Sequence, residues 1–176
     1  MKLIEMSDYN RAAKTYWTVM VIAGASVFAW AALHCFSLSP VQWAAFAGLL
    51  SLVILAGSNP IRIPNTRSSF TAGDVFIFLG LLVLGIPAAV MIGIVDAFAS
   101  SRQTSKRVTS WIAAPAMMAV TTFISGHAFY FVLARDAHVS QQPLGTTVMR
   151  TEHLIGAIAF LAILQYFING FTVSTI

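Results

Sequence analysis

Residues 65–107 read NTRSSFTAGDVFIFLGLLVLGIPAAVMIGIVDAFASSRQTSKR, and the way this stretch meets a membrane decides the fold. Asp74 opens an apolar run that continues to Val95, broken at Gly80 and at Gly85-Ile86-Pro87. About 20 apolar residues suffice to cross a bilayer, and a proline kink is tolerated where neighbouring groups satisfy the freed backbone. One kinked span is therefore one reading. In the other, Gly85-Ile86-Pro87 is a turn, and two short helices, Asp74 to Leu84 and Pro87 to Ser101, form a hairpin. Charge discriminates between them, because basic residues accumulate on the cytoplasmic side. With the hairpin, Lys2, Arg11, Lys14, Arg62, Arg67, Arg102, Lys106 and Arg107 fall inside, and Arg135 and Arg150 outside. With the kinked span, Arg102, Lys106 and Arg107 move outside while Arg135 and Arg150 move inside. The bias favours the hairpin.

Composition supports a membrane setting for the whole chain. Its 176 residues are 58% hydrophobic and 9% charged, with a mean hydropathy of +0.81, whereas charged residues make up about a quarter of ordinary soluble domains. The expected fold class is all-α, a polytopic helical membrane bundle of about five to six segments that includes the short hairpin. The net charge of +4 does not indicate nucleic acid, because the basic residues lie in short groups between apolar runs and build no basic face. The lone Cys35 excludes an intrachain disulfide, and no Cys/His spacing specifies a metal. The sequence implies no cofactor. The lipid bilayer is the first expected partner.

Outward from the hairpin, the chain divides into segments. Residues 1–14 are a polar, cytoplasmic lead-in, and residues 15–176 are the transmembrane domain. A first span covers about Tyr16 to Phe36, with Trp17 and Trp30 as interfacial anchors. It is too long for a secretion-signal core, and His34 stands where a lipoprotein cleavage site needs a small residue. Ser37-Leu38-Ser39-Pro40 is an external turn, with Ser39 as N-cap and Pro40 at the first helical position of a second span, Val41 to Gly57. Ile61-Arg62-Ile63-Pro64 should be extended. Thr71-Ala72-Gly73-Asp74 is a helix entry in which Thr71 or Asp74 can cap free amides.

Past the basic loop, a span from about Val108 to Leu133 carries Trp111 at its inner end, Pro115 in its first turns and Tyr130 at its outer end. Ala134 to Arg150 reads as an external loop. The last segment, Glu152 to Ile176, holds Gln165 and Asn169 on one helix face. With no basic residue after Arg150 to anchor its end, a longer parent protein is expected.

Four residues stand out as candidates for a ligand or signal. Asp74 is read first as a cap or interfacial carboxylate and second as a ligand. Asp96 is an ionisable group within a span, a functional candidate by default, with Arg102, Lys106, Ser100 or Ser101 as expected partners near the membrane surface. His127 is read as a satisfied or solvent-reachable imidazole whose charge can report external pH. Asn169 offers an interhelical amide. Gly85, Pro87 and Pro115 are the expected hinge points. No nucleophile and base are spaced for catalysis, so the chain is not expected to be an enzyme.

The pattern Trp43-Ala44-Ala45-Phe46, Ile61-Arg62-Ile63-Pro64, Ser69 to Leu79 (SFTAGDVFIFL) and Leu84 to Val90 (LGIPAAV) resembles the N-terminal membrane region of bacterial signalling proteins. In those proteins the region precedes an HD-type (HD-GYP) phosphohydrolase or a GGDEF diguanylate cyclase. The resemblance covers most of the chain from Trp17. It implies a sensor or anchoring module in the bacterial cytoplasmic (inner) membrane, partnered by a cytoplasmic cyclic-dinucleotide (c-di-GMP) output domain in cis or on another protein, and compatible with a homodimer. Neither an HD pair nor a GGDEF signature occurs in these 176 residues, so any such output lies outside them. A shorter likeness, Ile61 to Asp96, is to the S components of energy-coupling-factor vitamin transporters. It implies a transporter subunit with its ligand among Asp74, Asp96 and Asn169. In those subunits the proline loop is expected outside, whereas the basic residues here place it inside.

Overall fold

The computed structural model describes residues 11–57, 61–62, 69–70, 73–104 and 107–140, together with positions 156, 159 and 163. Five helices follow in order: α1 (Arg11–Cys35), α2 (Pro40–Gly57), α3 (Gly73–Leu84), α4 (Ile86–Thr104) and α5 (Val108–Ser140). Two short strands, β1 (Ile61–Arg62) and β2 (Ser69–Phe70), pair antiparallel between α2 and α3, with Ile61 opposite Phe70. The extended reading of Ile61-Arg62 is met, and the pairing adds a clasp. Apart from that clasp, the elements among the described residues are all helices and form a bundle.

α2 begins where the sequence places it, through a reciprocal cap. Gln42 N–H donates to Ser39 Oγ at 3.4 Å, and Ser39 N–H donates to Gln42 Oε1 at 2.9 Å, so two amides without helical partners are satisfied by one Ser-x-x-Gln box. α1 starts at Arg11, earlier than Tyr16, so the last four residues of the 1–14 lead-in are already helical.

The hairpin is the observed form of residues 73–104. Gly85 takes φ +88°, a left-handed conformation open to glycine without steric cost. Its N–H reaches back to the carbonyls of Gly80 (3.1 Å) and Leu81 (3.2 Å), which ends α3. Pro87 then falls in the first turn of α4, where its missing N–H is not needed. From α5, Tyr130 Oη donates to Leu81 O at 2.9 Å and fastens the same turn. The arms run back antiparallel, with Gly80 facing Ala89 and Ile92, and Gly73 facing Asp96.

α4 sits in the middle and touches all four other helices. Its Ala88, Ala89, Ile92 and Ala97 pack with Phe46, Leu49 and Val53 of α2, Ile77 and Leu81 of α3, and Phe129 of α5. Val90 meets Ala31 of α1 and Ala119 of α5 on another side. Lipid is as apolar as leucine, so helices associate there by close van der Waals packing at small residues. Gly24 shows this most strongly: a Cβ there would lie 2.6 Å from Ala116 Cβ. α1 and α5 run parallel, joined also by Trp17 Nε1–H donating to Thr109 O at 3.4 Å.

The outer surface is apolar. Ile22 and Leu33 of α1, Val41 and Leu55 of α2, Val75 and Val83 of α3, and Phe131 of α5 are exposed, as expected of a face covered by acyl chains. α1, α2 and the segment Val108–Val132 are long and apolar enough to cross a membrane. α3, with 12 residues, is about 18 Å long against a hydrocarbon core of about 30 Å, so it does not span alone.

One part of the sequence reading is corrected. Residues 134–140, read as loop, continue α5, which has 33 residues. At 1.5 Å per residue this is about 50 Å, well beyond the hydrocarbon thickness, so the polar continuation keeps helical hydrogen bonding past the membrane. The rest of that expected loop, together with Gln165 and Asn169, lies outside the described residues. Of the last segment, positions 156, 159 and 163 are helical.

Candidate functional site

Antiparallel pairing of α3 with α4, and parallel pairing of α1 with α5, bring the start of α1, the start of α3, the end of α4 and the start of α5 to one half of the bundle. Arg11, Lys14, Arg102 and Arg107 lie at that end. The Gly85 turn, Trp30 and His127 lie at the other.

Asp96 is the polar centre of the basic half. It stands ten residues after Ile86 in α4, about 15 Å along the helix, and α4 continues for about 12 Å beyond it. The side chain is 2% exposed, and its Oδ1 has no hydrogen-bond partner among the described residues. Two glycines admit it. A Cβ on Gly73, the first residue of α3, would overlap the Asp96 carboxylate, so the carboxylate rests directly against that Cα. A Cβ on Gly57, the last residue of α2, would lie 3.1 Å from Ala99 Cβ, 3.5 Å from Asp96 Oδ1 and 3.7 Å from Ser100 Oγ. Three helices thus meet on one carboxylate, and each approaches it with backbone.

Asp74 belongs to the same place. It is the second residue of α3, so it acts in the first turn, where the helix dipole favours a carboxylate, and not as the N-cap residue. It is half-buried, and its charge interacts with that of Asp96. The candidates Asp74 and Asp96 are therefore brought together.

Of the partners expected for Asp96, Arg102 and Ser101 are engaged elsewhere, Ser100 lies at the same junction, and Lys106 lies outside the described residues. Arg102 is exposed, with its guanidinium carbon 5.6 Å from the ring centres of Phe98 and Trp111, a cation–π arrangement. Ser101 Oγ–H donates to Phe98 O at 3.0 Å. Asp96 is buried between helices, because α3 begins level with it.

A buried polar row continues from Asp96 toward the bundle centre. Gly93, one turn earlier on α4, faces Thr122 Oγ1 and Met118 Cγ, each 3.1 Å from where its Cβ would be. Thr121, Thr122 and Ser125 are each 1% exposed. Ser125 Oγ–H donates to Thr122 O at 3.3 Å, whereas Oγ1 of Thr121 and Thr122 is unpartnered among the described residues.

His127 is not part of this group. It is exposed at the opposite end, and its Nδ1 lies 2.9 Å from Phe123 O. His34 on α1 has the same arrangement, with Nδ1 2.8 Å from Trp30 O. Trp30 lies between the two imidazoles, with ring centres 4.6 Å from His34 and 6.0 Å from His127. Cys35, next to His34, is a free buried thiol at the last position of α1. Among the described residues, no group of three or more His, Cys, Asp or Glu gathers as a metal cluster.

Sequence reasoning missed Gly57, Gly73, Thr121, Thr122 and His34. The Gly93-x-x-Asp96 spacing, which puts a gap and a carboxylate on one face, was the available signal. Comparison of the chain with protein-family models, curated proteins and solved structures finds no match in any of the three.

Proposed function

We propose that this chain is the membrane-embedded sensing and anchoring module of a bacterial signalling protein, working on a cytoplasmic output domain that makes or degrades a cyclic dinucleotide. The observation that carries the proposal is the buried Asp96 at the junction of α2, α3 and α4, whose Oδ1 has no hydrogen-bond partner among the described residues. A buried charge without a partner is unfavourable by several kcal/mol, so anything that neutralises it shifts the relative stability of two packings of those helices. A signal acts by binding such packings unequally. Gly85, at the far end of the α3–α4 hairpin, is the turn about which the arms reorient. Pro115, within the otherwise continuous α5, is the second deformable point. The sequence resemblance supplies the class of output, and the basic end supports a cytoplasmic orientation for the half that holds Asp96.

The test is cellular c-di-GMP measured with the full gene product carrying Asp96→Asn or Gly85→Ala. A level changed at least about threefold in either variant, with equal membrane abundance, supports the proposal. Levels unchanged in both variants sink it. Orientation is tested with single cysteines at Thr104 and Gln142 in a Cys35→Ser background, probed in intact cells with an impermeant thiol reagent. Labelling at 142 and protection at 104 are expected, and labelling at both excludes the arrangement.

A second reading is favoured by one observation, the convergence of Asp74 with Asp96. Paired carboxylates inside a helical bundle also suit the membrane subunit of a small-molecule transporter, with Asn169 as the remaining candidate ligand. A vitamin-like compound that copurifies with the wild-type chain and is lost in Asp96→Asn would favour it.

A further inference from the structure

We propose that the wedge between α1 and α4 at the basic end of the bundle is a docking site for one anionic phospholipid, with its phosphate on Arg102 and an acyl chain on Val108 and Ile112 of α5. The inference rests on the membrane setting of the three long apolar helices and is independent of the signalling role.

Three observations lead to the lipid. First, the wedge is open and apolar. Thr109 meets Trp17 of α1, while Trp111 lies beside Arg102 of α4. At about 100° per residue, Val108 and Ile112 fall in the narrower sector between those two directions, and they are 58% and 46% exposed. Ala119, seven residues after Ile112, falls in the same sector, and there the sector is closed: Ala119 is fully buried with Ala31 of α1 and Val90 of α4. α1 and α4 thus close over α5 at Ala119 and leave its start exposed. Second, a cation stands at the mouth. Arg102 is exposed, with its guanidinium carbon 5.6 Å from the ring centres of Phe98 and Trp111. Ring contacts hold a guanidinium without consuming its N–H fork, which suits phosphate oxygens. Lys14, one turn before Trp17 on α1, and Arg107, just ahead of Val108, flank the same mouth. The described carboxylates of this half, Asp74 and Asp96, belong to the junction with α2 and α3, and Asp96 is turned about 120° from Arg102 around α4. Third, the depth fits. Trp17 and Trp111 are half-buried beside the opening, and tryptophan settles at the headgroup level. That level puts Arg102 among phosphates and Ile112, one turn deeper than Val108, among acyl chains.

Charge and shape together select the occupant. An anion without a tail would leave Val108 and Ile112 uncovered, and a zwitterionic lipid brings an ammonium of its own toward Arg102. A phospholipid with a net negative head satisfies both the cation and the apolar floor. Basic pockets between membrane helices hold anionic head groups in this manner. From Val108 to Ala119 the floor is about 16 Å long, which accommodates the upper part of one acyl chain.

The experiment is tryptophan quenching in the full chain, reconstituted into phosphatidylcholine vesicles that contain a minor fraction of phosphatidylglycerol, with the acyl chains of one lipid or the other brominated. Trp30→Phe and Trp43→Phe leave Trp17 and Trp111 as the reporters. Quenching should show phosphatidylglycerol enriched about tenfold around them, and Arg102→Ala should cut that enrichment about fivefold. Ile112→Gln, which spoils the floor without changing charge, should lower it about twofold. Arg11 is the control for diffuse attraction, because it is turned about 120° from the Trp17 direction on α1, twice as far as Lys14. Arg11→Ala should keep at least roughly half of the enrichment. Equal quenching by the two lipids overturns the proposal, as does enrichment that survives Arg102→Ala, that is unchanged in Ile112→Gln, or that falls equally in Arg11→Ala. If Arg102→Ala does not reconstitute, native mass spectrometry of the wild-type chain gives a second readout. One phosphatidylglycerol retained in preference to phosphatidylcholine is expected there, and no preference overturns the proposal. These readings follow lipid occupancy in the purified chain, so loss of the lipid site and loss of the signalling role register in separate experiments.

Discussion

At the half of the bundle that holds the Gly85 turn, two imidazoles stand in the open, each with Nδ1 bonded to the carbonyl one turn earlier and with Trp30 between them. At the other half, a carboxylate is enclosed by three helices, and its Oδ1 has no partner among the described residues. The first group is exposed and bonded through Nδ1 within its own helices, so little of the packing depends on it. The second is ionisable and unsatisfied, so its charge is coupled to the packing around it. Depth alone does not separate them. The imidazoles are satisfied from within their own helices, while Asp96 depends on what α2 and α3 bring to it.

The largest expected effect tests that dependence. Gly73→Val puts a branched side chain into the volume of the Asp96 carboxylate, and overpacking of about 3 kcal/mol or more should abolish a monodisperse folded species in size-exclusion chromatography. Partial recovery in Gly73→Val/Asp96→Ala would show that the carboxylate is the obstacle. Normal folding of Gly73→Val alone would break the account of the junction.

Gly85→Ala is the next step down, because a Cβ at φ +88° costs about 1–2 kcal/mol whatever space surrounds it. Its melting temperature should fall while the ends of α3 and α4 keep their contact, which a disulfide engineered between the arms would report. Tyr130→Phe removes the hydrogen bond to Leu81 O and should lower stability by about 1 kcal/mol. No more is expected, because Gly85 N–H still bonds that carbonyl. At the exposed end, His127→Ala should change stability by less than about 0.5 kcal/mol. A loss near that of Gly73→Val there would erase the contrast between the halves.

Much of the fold was legible because its causes are local. Ser39-Pro40-Val41-Gln42 carries a complete cap in four residues, and Gly85-Ile86-Pro87 carries a turn in three. The grouping of basic residues pointed to the hairpin, and among the described residues Arg11, Lys14, Arg102 and Arg107 lie at one end. The extension of α5 through 134–140 was not legible, because a polar helix outside the membrane has no apolar signature to mark it. The candidate site was half legible. Asp74 and Asp96 were visible as ionisable groups in apolar surroundings, but not as neighbours, since their meeting requires α3 to be short and antiparallel to α4.

The sequence by itself determined the environment and the elements. Its apolar runs need a helical backbone in lipid, where unsatisfied peptide groups are costly, and glycine, proline and serine mark where those helices stop. Only the tertiary structure decided what Asp96 is. Its burial belongs to no residue alone: it arises because Gly57 and Gly73, from helices remote in sequence, come close enough to enclose one carboxylate, whose Oδ1 finds no hydrogen bond among the described residues.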